Sequence, residues 1–335
     1  MTHTPTIAAT LIVRDEARCI LRCLDSVAPF VDRMVVVDTG SVDDTVAIAL
    51  GARAEVHHVP WSDDFSSARN EALRLAASDW HLVLDADEWI VSGGDSLRDW
   101  CKEPARLGQA CIHSDDGDGA TTTRSWITRL LPRGVWFEGR VHEQVASALP
   151  RVRTGLHVGH DGYRLAQIAR KQDRNHRLLL AELATQPGDP YLLYQLGKDA
   201  DMRGDALESA RHYADAVPVT PRSAAWRHAL ITCAIPALVK AGRLEQAMAL
   251  AEAEMPYWTG SPDFFFVLGD LLLARAIADP ARAVDQWLPL AVGAWERCLA
   301  IGEQPALEGS VAGRGSRLAR HNLHVIGSQL ALLAG

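Results

Sequence analysis

The sequence predicts an α/β domain over residues 1–165 followed by an all-α domain over 166–335, and three observations carry this reading. Residues 7–84 alternate short apolar, β-rich runs with segments of helical apolar spacing. After about residue 164 the chain turns rich in Ala, Leu, Arg and Glu and poor in β-branched runs. Its 335 residues also exceed what one ordinary core carries, so two domains fit the length.

Ile7–Val13 is apolar and β-rich, and residues 17–27 then place Ile20, Leu21, Leu24 and Val27 on one side of a helix. Residues 34–38 form a second buried strand ending in Asp38. Thr39-Gly40-Ser41 follows, then a helix over about 43–50, with Ser41 and Asp44 at the spacing of a capping box. Residues 55–59 read as a third strand, 66–77 as a third helix after the acidic turn Asp63-Asp64, and 81–84 as a fourth strand. Single helices between strands imply parallel pairing with right-handed crossovers, which puts Asp38 and Asp85 along one sheet edge.

The fourth strand runs into Leu82-Val83-Leu84-Asp85-Ala86-Asp87-Glu88, an apolar run that ends in closely spaced carboxylates. In open α/β sheets ligands bind beyond the carboxyl ends of the strands. Alternate strand residues point the same way, so Asp85 and Asp87 can share one target, and hard oxygen donors suit Mg²⁺ or Mn²⁺ carrying a phosphate. On these seven residues alone, a solvated acidic turn is the competing reading. No Gly-x-Gly-x-x-Gly follows the first strand and no Gly-x-x-x-x-Gly-Lys-Ser/Thr occurs, which counts against a dinucleotide oxidoreductase or a P-loop NTPase.

Three motifs in this order resemble family 2 glycosyltransferases of the GT-A fold: Val36-Val37-Asp38-Thr39-Gly40-Ser41, then Trp61 with Asp64-Phe65-Ser66-Ser67-Ala68-Arg69-Asn70, then Leu84-Asp85-Ala86-Asp87-Glu88. The later segments Phe137-Glu138-Gly139-Arg140-Val141-His142-Glu143 and His160-Asp161-Gly162-Tyr163, with a helical repeat tail, look like the bacterial subset that includes the peptide S-glycosyltransferases of glycosylated bacteriocins. One departure stands out: Val13-Arg14-Asp15-Glu16 occupies the place where relatives often read Val-Lys-Asn-Glu.

The resemblance implies a GT-A nucleotide-sugar-binding domain in which Asp38 contacts the uracil base of a UDP-sugar and Arg69 the nucleotide. It further implies that Asp85 helps hold the ribose or metal and that Asp87 ligates a Mg²⁺ or Mn²⁺ ion directly. Asp38 as a turn residue and Arg69 as a solvated helix residue are the plainer alternatives. His160, after the strand-like Leu156-His157-Val158, is either a further metal ligand or a hydrogen-bonded structural histidine. Glu143 is the candidate general base of an inverting displacement; acceptor binding and a salt bridge to Arg140 are its other uses. Lys171, Arg174 and Arg177 recur every third residue on one helix face, as a solvated basic stripe or as a diphosphate contact. The stretch 114–123 reads as an exposed loop, a candidate lid.

In the tail, Leu196-Gly197, Gly204, Tyr213, Ala216 and Pro221 follow the 34-residue tetratricopeptide pattern. Gly242 and Ala247 fit a second copy and Leu268-Gly269 a third, with drifting spacing, and a last helix spans about 317–333. Such helix pairs must stack to bury their apolar faces, so at least three pack together. The array offers a surface for a peptide or for self-association as a homodimer, with Trp226 and Met255-Pro256-Tyr257-Trp258 as aromatic anchors or as core.

A net charge of −8 and a pI near 5.9 argue against a general nucleic-acid binder. Six scattered cysteines show neither CxxC nor zinc spacing and read as reduced thiols. No signal-peptide pattern opens the chain and no apolar run approaches the ~20 residues of a membrane span, so a cytoplasmic protein is expected. The leading expectation is a metal-dependent, inverting transfer of a sugar from a UDP-sugar to a peptide or protein side chain. A saccharide acceptor, or a non-catalytic repeat scaffold, are the alternatives.

Overall fold

The computed structural model describes residues 4–103, 105–115, 122–161 and 165–334. The chain divides into two compact units, one of residues 1–120 with 125–178, the other of 179–335 with 121–124.

The first unit is built on an eight-stranded mixed sheet. Its strands are β1 (Ile7–Val13), β2 (Arg33–Asp38), β3 (Glu55–His58), β4 (Trp80–Val83), β5 (Glu88–Ser92), β6 (Leu107–Asp115), β7 (Thr122–Pro132) and β10 (Arg151–His160), with β8 (Trp136–Glu138) and β9 (Gln144–Ala146) forming a separate ribbon. The order is β3-β2-β1-β4-β7-β6-β10-β5. β1 to β4 pair in parallel as the sequence predicts. β7 then enters antiparallel to β4, and β5 closes the sheet antiparallel to β10. That last pairing sets Glu88 beside His160.

Both faces of the sheet are covered. On one, α1 (Ile20–Val27) packs Ile20, Cys23, Leu24 and Val27 against Ile7, Leu11, Val36 and Leu82. On the other, Ala76 of α3 (Phe65–Ala76) meets Ala8 and Val35, while Leu73 joins Val83, Leu131 and Phe137. Asp64 caps α3 by accepting from Ser67 N at 2.9 Å, which fixes where Arg69 emerges.

α2 (Thr45–Gly51) starts without the expected Ser41–Asp44 capping box. Asp43 accepts from Thr45 N instead, and Ser41 Oγ accepts from Asp15 N at 2.9 Å. Asp15 has a left-handed φ of 55° and accepts from Val42 N at 2.8 Å. Asn and Asp both tolerate this conformation and both carry the oxygen it uses, so the aspartate at this position keeps the backbone tie between the β1 and β2 loops.

The helices from α5 (Leu165–Thr185) onward follow α4 (Leu97–Trp100); α5 crosses the division between the units. In the second unit, α6 (Pro190–Met202) with α7 (Ala206–Val219), α8 (Arg227–Lys240) with α9 (Leu244–Glu254), and α10 (Pro262–Ala278) with α11 (Leu288–Ile301) are three helix pairs around one core, followed by α12 (Arg317–Ala334). First helices begin at 190, 227 and 262, so the copies lie 37 and then 35 residues apart. A small-to-large pattern recurs at the eighth residue of each helix. Gly197 of α6 meets Tyr213 of α7, and Gly269 of α10 meets Trp295 of α11; an added Cβ would come within 2.4 Å of either ring. In the middle pair the same positions hold Ala234 and Ala251, both fully buried. Trp226 stacks on Tyr194 at 5.1 Å and Trp258 packs on the same core, so these two are core residues; Tyr257 is exposed beneath Arg222.

Gly269→Ala should lower unfolding stability by about 1–3 kcal/mol through overpacking against Trp295, despite the better helix propensity of Ala; urea midpoints would measure it. A second prediction concerns His81 of β4, which is buried with no partner for either ring nitrogen among the described residues. Burial lowers its pKa to about 4. The unfolded chain takes up this proton near an ordinary value of about 6.5, so stability should fall as pH drops from about 7 toward 4. His81→Leu should flatten that part of the stability–pH curve.

Candidate functional site

Five charged side chains from distant parts of the sequence meet beyond the carboxyl end of β4. Arg69 on α3 is buried. Its Nη2 donates to Asp85 Oδ1 at 2.7 Å and its Nε donates to Glu143 Oε1. Arg129 on β7 donates to Asp85 Oδ2 at 2.8 Å and to Glu88 Oε1. Glu88 Oε2 accepts from Asp85 N at 3.0 Å, closing the ring.

Burial opposes every charge in this network, and the pairings decide which survive. It weakens the Arg69 and Arg129 cations, but Asp85 and Glu143 on one side and Glu88 and Asp85 on the other outweigh it and hold both firmly protonated. Asp85 would be raised by burial, yet the two guanidinium groups keep its carboxyl well below the usual range. Glu88 ends above its ordinary value, because burial and the Asp85 charge exceed what Arg129 returns.

Asp87 is 4% exposed. Its Oδ2 lies 3.7 Å from Nε2 of His160, whose Nδ1 is 3.3 Å from Ser114 Oγ. Burial alone would lower the His160 pKa, but Asp87 and then Glu88 and Asp85 raise it. Asp161, next in the motif, anchors the end of β10 to Arg22 of α1 at 2.7 Å and to Arg18, just before that helix, at 3.2 Å. Gly162 and Tyr163 lie outside the described residues.

Asp38 is buried at the end of β2 and accepts from Ser41 N at 3.1 Å and Gly40 N at 3.2 Å, with His58 Nδ1 at 3.1 Å. Burial works against its charge, but the Ser41, His58 and Gly40 bonds hold its pKa below the ordinary value. The turn use considered for Asp38 is therefore present.

The structure thus brings Arg69, Asp85 and Glu143 into one network and sets Asp87 against His160. The guanidinium paired to Glu143 is that of Arg69. Arg174 lies over Phe65 and Trp61, with ring centroids at 4.9 and 5.9 Å, and Arg177 pairs with Asp63 at 3.1 Å on the surface. The Lys171 side chain and residues 116–121 of the candidate lid fall outside the described residues. Two members of the network were missed: Arg129 and the ion-pairing role of Glu88. The signal for Arg129 is charge balance, since three carboxylates beside one buried arginine require a further cation.

A single divalent cation fits between Asp87 and His160. Metal–ligand bonds of about 2.0–2.2 Å to each would span the 3.7 Å that separates their nearest donor atoms. Asp85 is less suited to ligation, with both oxygens already accepting from arginines. Nη1 of Arg69 is a buried donor without a partner among the described residues, as a site for an anionic ligand would leave it.

Residues 10–99 match the family model for glycosyl transferase family 2. A TPR repeat-containing protein of Synechococcus elongatus is 35% identical over 225 residues, covering 61% of this chain and 55% of that protein. The SPbeta prophage-derived glycosyltransferase SunS of Bacillus subtilis is 30% identical over 208 residues, covering 58% of this chain and 49% of SunS. The chain spans about half the length of these curated relatives. A solved structure of glucosyl-3-phosphoglycerate synthase from Mycobacterium tuberculosis shares 24% identity over 32% of this chain and 44% of that one, with a TM-score of 0.28, too slight a likeness to argue from. Residues 10–99 are thus similar to glycosyl transferase family 2, and they lie within a mixed sheet that a region of stacked helix pairs follows.

Proposed function

We propose that this protein is a metal-dependent, inverting glycosyltransferase that moves a sugar from a UDP-sugar to a peptide or protein side chain. The observation that carries the reading is the approach of Asp87 and His160 beside the Arg69–Asp85 pair, at the sheet edge where α/β folds bind ligands. The family 2 domain supports glycosyl transfer. The UDP donor, the inversion and the peptide acceptor rest on the motif resemblance set out above. Residues 1–165 are assigned the catalytic role, and residues 166–335, with their stacked helix pairs, the holding of acceptor or partner.

Each residue has a task that its geometry permits. Asp38, held by the turn at 40–41, faces the uracil base. Asp85 retains lone pairs for ribose hydroxyls, because a carboxylate has about four acceptor sites and its arginines use two. Arg69 offers its unpartnered Nη1 to the nucleotide. Asp87 and His160 would hold Mg²⁺ or Mn²⁺, which when bound offsets the charge of the leaving diphosphate. Glu143 accepts from Arg69 through Oε1, leaving Oε2 for the proton of the acceptor nucleophile.

Calorimetric titration of UDP should show binding with Mn²⁺ that excess chelator removes, and Asp87→Ala should abolish it. No UDP binding by the wild type in either condition overturns the donor assignment. Glu143→Gln should lower the transfer rate by roughly 10²–10⁴-fold while changing UDP affinity little. An equal loss of UDP affinity would instead mean that Glu143 serves only to hold Arg69. Assays against peptides and against oligosaccharides, with the same donor, decide the acceptor.

A further inference from the structure

Away from the carboxylates, the adjacent strands β6 and β10 carry a second set of ligating side chains. Cys111 sits beside His157 in the parallel register, and His113 sits beside Gly159. Alternate strand residues share a face, so Cys111, His113 and His157 project from the same side of the sheet. One ligand atom from each lies within 4.8 Å of the others. Nε2 of His113 and Nδ1 of His157 face each other at 2.8 Å, and Cys111 is 3% exposed. Gly159 leaves the neighbouring position without a side chain, and the Trp89 indole fills it, at 2.4 Å from where a Cβ would stand.

We propose that Cys111, His113 and His157 form a binding site for one Zn²⁺ ion. A thiolate with two imidazoles is a donor set for a borderline-soft cation, whereas the Asp87–His160 pair, with its carboxylate oxygen, is the harder site. The histidine spacing needs little adjustment. Two imidazole nitrogens on a tetrahedral zinc stand about 3.3 Å apart, given Zn–N bonds near 2.0–2.1 Å, so the histidine pair has to open by only about half an ångström. In the metal-free protein one imidazole donates to the other across this gap, and the ion replaces that shared proton. Three protein ligands leave the fourth position of the ion open to water. The site shares no residue with the proposed donor site, so each stands or falls separately.

Cobalt substitution tests this on the full chain. Titrating Co²⁺ into reduced, metal-free protein should give the intense thiolate-to-cobalt charge-transfer absorption at one equivalent, and Zn²⁺ should displace it. The absorption should persist in Asp87→Ala, disappear in Cys111→Ser, and weaken at least tenfold in apparent affinity in His157→Gln. Circular dichroism checks that each variant folds; should Cys111→Ser not fold, His157→Gln and His113→Gln decide. No thiolate absorption in the wild type overturns the site, as does absorption unchanged by Cys111→Ser or, where that variant does not fold, by both histidine substitutions.

Discussion

The ring of ion pairs formed by Arg69, Asp85, Arg129, Glu88 and Glu143 is the constraint around which the first unit is arranged. Arg69, Glu88 and Arg129 are too buried to hold their charges alone, and a lone buried charge costs several kcal/mol. The five therefore fix one another's positions. Arg69 binds helix α3 to the end of β4 and to the segment leading into β9; Arg129 binds β7 to the same point. Two cations face three carboxylates here, and Asp87 adds a fourth alongside. A cluster with this negative excess favours a cation or a ligand that brings one, which is the electrostatic core of the functional assignment.

The first four strands and the helices between them were legible because β1 and β2 are short β-branched runs, β4 runs into apolar Leu82–Leu84, and each helix shows apolar residues at helical spacing. The three motifs that contain Asp38, Arg69 and Asp87 were legible for a related reason: charged residues that interrupt apolar runs are conspicuous. What stayed hidden is non-local. Nothing in residues 122–132 announces that β7 inserts antiparallel beside β4, since pairing partners so distant leave no local trace. Arg129 was hidden with it. The start of α2 was misread because Ser41 and Asp44 fit a local pattern while Ser41 Oγ is already engaged by the backbone of Asp15 on another loop. The metal-ligand cluster was missed in the same way, because a spacing rule cannot see ligands shared between two strands.

In the helical unit the sequence pattern and the structure agree where the turns are short. Gly204 and Gly242, with φ of 78° and 72°, close the first two pairs in the left-handed conformation that glycine adopts readily. The third pair is joined through residues 280–287 as short 3₁₀ and π turns, a longer joint than the glycine turns, and the starts of the copies drift from 34 residues apart to 37 and 35. The contact between the helices of a pair survives the drift, since Gly269 and Trp295 reproduce the arrangement of Gly197 and Tyr213.

The late arrival of β10 has a consequence for how the first unit comes into being. The family-matched stretch, residues 10–99, contains Asp85, Asp87 and Glu88 but neither Arg129 nor His160. A ribosome releasing the chain from its N-terminus exposes the carboxylates with Arg69 alone, well before Arg129 and His160 join them, and β5 has no strand to pair with until β10 emerges. The nascent stretch must wait, open and solvated, for some sixty further residues. Sequence-distant pairing of this kind is slow to form and leaves strand edges unprotected meanwhile. The segment by which the domain is recognised is thus a portion of a folding unit that closes only once residue 160 has been made.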